Sequence, residues 1–151
     1  METNKKTGRY GRIFTQLEEL VRKTNDKNAR MATIAAVLHH KMDYFFWTGF
    51  YLLVEGELVV RTYQGPVACQ VLEKGKGVCW AAINGNKTVI VQDVHLFPGH
   101  IACDSRSSSE IAVPLHDCHG RITGVLDVDS REKGSFDETD REWLEKIVCL
   151  I

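Results

Sequence analysis

The residues best suited to chemistry in this 151-residue chain crowd into one polar stretch, residues 93–110, DVHLFPGHIACDSRSSSE. It carries His95, His100, Asp93, Asp104, Cys103 and a closing Glu110. Phe97-Pro98-Gly99 marks a turn, because Pro presets φ and Gly tolerates positive φ. The SRSSS run that follows is too polar to pack. Cys103 therefore sits between a turn and an aspartate. A free cysteine that merely fills a core sits in an apolar run instead. This setting suits a nucleophilic or redox thiol. A loop longer than roughly 12–15 residues in a compact domain is usually functional or disordered.

A second constellation lies at residues 124–129, GVLDVD. With a strand period of two, Leu126 and Val128 point one way, and Asp127 and Asp129 the other. Two carboxylates side by side in an apolar strand repel, and each raises the other's pKa. The plain alternative is a solvated sheet face. Two more cysteines join the reactive set. Cys69 falls in a short strand expected over residues 67–72. Cys79 falls in the first turn of a helix expected over 78–84, where the helix dipole favours a thiolate.

The elements that must position these groups are legible from periodicity. Ile13, Leu17, Leu20 and Val21 recur on one face of a helix over residues 9–24. Met31, Ala35, Leu38 and Met42 do the same over 29–42, with His39 and His40 near its C-terminal end. The period then changes to two. Residues 45–54, FFWTGFYLLV, read as a strand with Trp47, Gly49 and Tyr51 on one face. Glu55-Gly56 turns it into a hairpin partner over 58–64. Residues 88–91 form another strand. Residues 109–116, with Glu110, Ala112 and Pro114 on one face, pair through a Cys118-His119-Gly120 tip with residues 122–129. Ser135 and Glu138 predict a capping box ahead of a closing helix that buries Trp143, Leu144, Ile147, Val148 and Ile151. No βαβ alternation occurs. The fold class is therefore α+β: a mostly antiparallel sheet of about six strands with N- and C-terminal helices on one face. One domain over residues 1–151 is expected, with residues 1–8 frayed.

Composition removes several function classes. The formal net charge is −1, which argues against a nucleic-acid surface. No apolar run approaches the ~20 residues of a membrane span, so no membrane partner is expected. The start, METNKKTGRYGR, has no apolar signal region, so a cytoplasmic location is the expectation. Five cysteines cannot all pair, and in a reducing compartment they are free, catalytic or ligating. His95, His100 and Cys103, even with Cys118-His119, match no zinc spacing, so no metal and no cofactor are expected. A cysteine hydrolase built on Cys103 with His100 or His95 leaves Cys69, Cys79 and the acids unexplained. The oligomeric state is open at this level; a homodimer is compatible with it.

The runs GPVACQVLEKGKGVCWAAI, VQDVHLFPGHIACDSRSSSEIAVPL and GRITGVLDVDS, with WTGFYLL and FDETDREWLEKI, resemble the free methionine-(R)-sulfoxide reductases, small enzymes with the GAF fold. The likeness runs from the first helix to the last. It implies that Cys103 is the catalytic nucleophile, Cys69 the preferred resolving cysteine and Cys79 an alternative one. It puts Glu110, Asp127 and Asp129 around the substrate, and Trp47 and Tyr51 in an aromatic pocket. It implies free methionine-(R)-sulfoxide as substrate and a thioredoxin-type reductant as partner. Trp80 departs from the pattern, which has a glycine after the middle cysteine. A GAF-type sensor that binds a small ligand without chemistry is the alternative. Such modules are usually joined to an output domain, for which 151 residues leave no room. Reduction of a sulfoxide by a thiol yields a sulfenic acid, which a second thiol converts to a disulfide. That chemistry requires more than one cysteine.

Overall fold

A computed structural model describes residues 1–100 and 103–151; Ile101 and Ala102, within the long polar stretch and its HIACDS motif, lie outside the described residues. The strands are β1 (Trp47–Val54), β2 (Glu57–Gln64), β3 (Val71–Leu72), β4 (Val89–Val91), β5 (Ser109–His116) and β6 (Ile122–Ser130). They form one sheet in the order β3-β2-β1-β6-β5-β4, with every neighbouring pair antiparallel. The helices are α1 (Thr3–Val21), α2 (Lys27–Lys41), α3 (Gly77–Gly85) and α4 (Glu138–Val148). The α+β reading therefore holds.

Strand alternation divides the apolar residues between two layers. Phe50, Ile111, Val113, Leu115, Leu126 and Val128 pack with Ile13, Leu17, Ile34, Leu38, Leu144 and Ile147 of α1, α2 and α4. Trp47, Tyr51, Ala112 and Val125 face the opposite way and pack with Val78, Cys79, Trp80 and Ala82 of α3. The terminal helices thus cover one face, and α3 lies on the other. Burying each large apolar side chain contributes about 1.5–3 kcal/mol. The β1–β2 hairpin turns through Glu55 and Gly56, both at positive φ (51° and 83°), the backbone of a tight two-residue hairpin turn.

Three local expectations change. The first concerns residues 1–8, expected to fray: α1 begins at Thr3, and Lys6 is only 2% exposed. Its ammonium bonds the Asp140 carboxylate and donates to the Ser135 carbonyl at 2.9 Å. Tyr10 and Tyr44 donate their hydroxyls to the other Asp140 oxygen at 2.7 and 2.6 Å. Asp140 is fully buried, so this network joins the N-terminal helix to α4. The second concerns the cap of α4. Asp137 accepts from the Thr139 and Asp140 amides, and the Asp140 carboxylate accepts from the Asp137 amide, so the box is Asp137/Asp140 rather than Ser135/Glu138. Ser135 instead bonds Ser130 side chain to side chain. The third concerns the strand expected over residues 67–72. Only Val71 and Leu72 pair, with Val59 and Leu58 of β2, and Cys69 lies outside the strand.

Removing one member of a buried ion pair leaves an unpaired charge in the interior and typically costs about 3–5 kcal/mol. Asp140→Ala leaves the buried Lys6 ammonium with only the half-exposed Asp137 carboxylate, 3.2 Å away, and takes the acceptor from the Tyr10 and Tyr44 hydroxyls; it is expected to lower unfolding free energy by roughly that amount in urea denaturation. A loss under about 1 kcal/mol would show that the network contributes little to holding α1 on α4.

Candidate active site

The reactive residues meet on the α3 side of the sheet. β1, β6 and β5 lie side by side there, and their register decides which side chains are neighbours. Asp129 stands opposite Trp47 on one side and Glu110 on the other; Asp127 stands opposite Gly49 and Ala112. Glu110, Asp127 and Asp129 therefore line one cavity of about 50 Å³, with Trp47 and Tyr51 beside them. The first turn of α3 supplies Lys76, Gly77, Val78 and Cys79 as a second wall. His100, Cys103, Asp104 and Ser107 of the long loop, with Val67 and Ala68, complete it.

The aromatic pair is held and also holds. Trp47 stacks between Tyr51 and Tyr63, at centroid separations of 5.8 and 5.2 Å. Gly49 makes this stack fit, because a Cβ there would collide with Trp47 and Tyr63. Trp47 Nε1 donates to the Pro66 carbonyl at 3.1 Å, and the Tyr51 hydroxyl donates to the Cys69 carbonyl at 3.2 Å. Residues 66–69 are thus drawn over the cavity instead of continuing the β2 ladder, which explains why β3 is so short. At that point Cys69 is bonded to Cys103 in a disulfide, with Cα atoms 5.6 Å apart.

All eight residues singled out from the sequence gather here. Cys118 and Cys149 are exposed free thiols. Trp80 is buried in the apolar cluster around α3 and does not line the cavity. Sequence reasoning missed Lys76, Asp104 and Ser107 as wall residues. Asp104 carried the one available signal, the Asp-Ser-Arg spacing that lets Arg106 fold back on it. Arg106 Nε and a terminal nitrogen contact the Asp104 carboxylate at 3.0 and 2.7 Å, which holds its pKa at about 2. Among the described residues no ligand cluster includes His95, His100 or Cys103; the one trio within metal-binding distance is Cys79, Glu110 and Asp127.

Comparison with known proteins fits this site. A family model of the GAF domain matches residues 28–151. GAF domain-containing protein A of Dictyostelium discoideum is 47% identical over 147 residues, 97% of this chain and 92% of that protein. Free methionine-R-sulfoxide reductase of Escherichia coli (strain K12) is 41% identical over 123 residues, 82% of this chain and 74% of that one. The X-ray structure of free methionine-R-sulfoxide reductase from Neisseria meningitidis in complex with its substrate superposes with a TM-score of 0.88 at 43% identity. That match covers 93% of this chain and 84% of the other. The chain belongs to the free methionine-R-sulfoxide reductase family of GAF domains.

The electrostatics of this reductase-type pocket are dominated by desolvation. Burial, then the neighbouring Asp127 and Asp129, push the Glu110 carboxyl well above its ordinary value. Burial, then Asp127 and Asp104, do the same to Asp129. Asp127 is also raised by burial, although hydrogen bonding with Glu110 and Cys79 opposes the rise. Cys79 corrects an expectation: its thiol is pushed up, not down. Burial and the charges of Asp127, Glu110 and Asp129 outweigh the α3 dipole. His100 is held low by burial and then by His95. Among the described residues, neither of its ring nitrogens, nor Asp127 Oδ1, has a hydrogen-bond partner.

A carboxyl whose folded pKa is raised keeps its proton when the unfolded chain has lost it. Its contribution to stability is therefore lost as pH rises from the unfolded value towards the folded one. Glu110→Gln removes that penalty. The variant's stability relative to wild type is expected to grow as pH is raised from about 4.5, the ordinary glutamate value, towards neutrality. Urea denaturation of both proteins across that range tests the sign. A stability difference independent of pH would mean that Glu110 ionises normally.

Proposed function

We propose that this protein reduces free methionine-(R)-sulfoxide to methionine, using Cys103 as nucleophile and Cys69 as resolving thiol. The observation that carries the reading is the Cys69–Cys103 disulfide beside a cavity that gathers three carboxyls and two aromatic rings. In the reduced protein the Cys103 thiolate attacks the sulfoxide sulfur. The sulfoxide oxygen takes a proton as the S–O bond is transferred, methionine leaves, and Cys103 becomes a sulfenic acid. The Cys69 thiol then attacks that sulfur, forming the disulfide and releasing water. A thioredoxin-type dithiol restores both thiols by exchange. The net change converts one sulfoxide and one external dithiol into methionine, one disulfide and water.

The other residues have roles that follow from their chemistry. A carboxyl kept neutral by burial and by its neighbours can donate to the departing oxygen. An ionised one holds the ammonium of a free amino acid. Trp47 and Tyr51 enclose the S-methyl end. Cys79 is a weaker candidate for resolution than Cys69, because its raised pKa keeps it as the thiol. A cytoplasmic, reducing compartment suits a cycle that depends on an external dithiol, and the described residues contain no helix long and apolar enough to cross a membrane.

Purified protein with a thioredoxin system is expected to consume the (R) epimer of free methionine sulfoxide, leave the (S) epimer, and act poorly on sulfoxide within peptides. Cys103→Ser should form no methionine. Cys69→Ser should release methionine in a single turnover and then stall. Turnover by Cys103→Ser, or equal rates on peptide-bound sulfoxide, would overturn the proposal.

The acids give a second test. Glu110→Gln, Asp127→Asn and Asp129→Asn keep shape but lose the ionisable group. Each should lower kcat/KM, and the variant lacking the proton donor should lose about 10²–10⁴-fold in kcat. At least one should act mainly on KM. Three folded variants with near wild-type kinetics would reduce the acid cluster to scenery.

A further inference from the structure

Cys79 of α3, Glu110 of β5 and Asp127 of β6 offer a sulfur and two carboxylate oxygens that all lie within 4.8 Å of one another. All three residues are at least nine-tenths buried, and Asp127 Oδ1 lines the cavity with no hydrogen-bond partner among the described residues. His100, on the same cavity, has both ring nitrogens without a hydrogen-bond partner among the described residues. We propose that Cys79, Glu110 and Asp127 form a binding site for a thiophilic divalent cation of the zinc and cadmium class, and that the bound cation excludes substrate.

The donor set matches that class of ion. Tetrahedral zinc with sulfur at about 2.3 Å and oxygen at about 2.1 Å places its ligand atoms roughly 3.4–3.6 Å apart. The observed spread closes to that spacing by small side-chain movements. One thiolate and two carboxylates leave a fourth position open to the cavity, where water completes the shell. Magnesium and calcium are disfavoured, since they call for six or more oxygen ligands and a thiolate is a soft donor. Sulfur and oxygen donors from three different elements also pre-organise the trio, because β5 and β6 are locked by their register.

Binding is an exchange of protons for metal, with no electron transfer. The cation displaces the Cys79 thiol proton and any proton the two acids share, and these pass to buffer. The remaining ionisable groups facing the trio are Tyr51, Asp129, Asp104, His100 and Lys76. Exclusion of substrate rests on the proposed function, in which the same carboxyls hold the substrate ammonium. Metal binding itself does not.

The experiment uses the oxidised protein, in which Cys69 and Cys103 are tied to each other, with Cys118→Ser and Cys149→Ser to remove the two exposed thiols. Cadmium is titrated while its sulfur-to-metal charge-transfer absorption and the heat of binding are recorded. One cadmium per chain is expected, with the absorption abolished by Cys79→Ser. Glu110→Gln and Asp127→Asn should weaken binding roughly tenfold or more. Zinc should displace cadmium, and magnesium should not. Absorption that survives in Cys79→Ser, or its absence from the parent protein, overturns the site. Should the variants fail to fold, cadmium-113 resonance of the parent protein decides: a single oxygen-rich, one-sulfur environment supports the site, and any other environment overturns it. Competition by methionine sulfoxide is read separately. Cadmium binding without competition keeps the metal site and removes the claim that it excludes substrate.

Discussion

Gathering three carboxyls and a thiol around one small cavity, with Glu110, Asp127 and Cys79 buried, is the constraint on which this architecture depends. Each of these groups would rather be hydrated, and each raises the energy of ionising its neighbours. Left on flexible loops they would swing apart into water. They stay together because β1, β6 and β5 are adjacent central strands whose register sets Asp129 between Trp47 and Glu110. The central strands can be that rigid because their other face carries the apolar layer of α1, α2 and α4. One face of the sheet provides the stability that the other face draws down.

The same division explains why the aromatic residues do two jobs. Trp47 and Tyr51 fill the cavity wall with rings and extend a donor each to the backbone of residues 66–69. A purely apolar pair would wall the cavity but leave that segment free to pair with β2. Side-chain hydrogen bonds to main chain here replace a strand ladder, and the replacement brings Cys69 within bonding distance of Cys103.

Much of this was legible in the chain. A period of two placed Asp127 and Asp129 on the face opposite Leu126 and Val128, and the short tip at residues 117–121 put Glu110 on the partner strand. Both follow from local geometry, and both hold. What periodicity could not reach was long-range compensation. Lys6 is buried because Asp140, 134 residues away, meets it, and a helix wheel carries no trace of that. The Cys69 segment read as strand from its side chains, but its backbone obeys donors on β1. The Cys79 thiol looked activated by its helix terminus, yet burial, and after it acids from two distant strands, reverse the sign. The pairing of Cys69 with Cys103 came from family resemblance, not from spacing.

The disulfide joins residues 34 positions apart and encloses α3 and β4 in a covalent ring. On a chain-entropy argument, closing a ring of that size removes about 4 kcal/mol of disorder from the unfolded ensemble. The oxidised protein is then the sturdier one, and a reductant that frees the two thiols also slackens the molecule that carries them. Resistance to heat or to proteases becomes a property of redox history, with the disulfide form the more durable of the two.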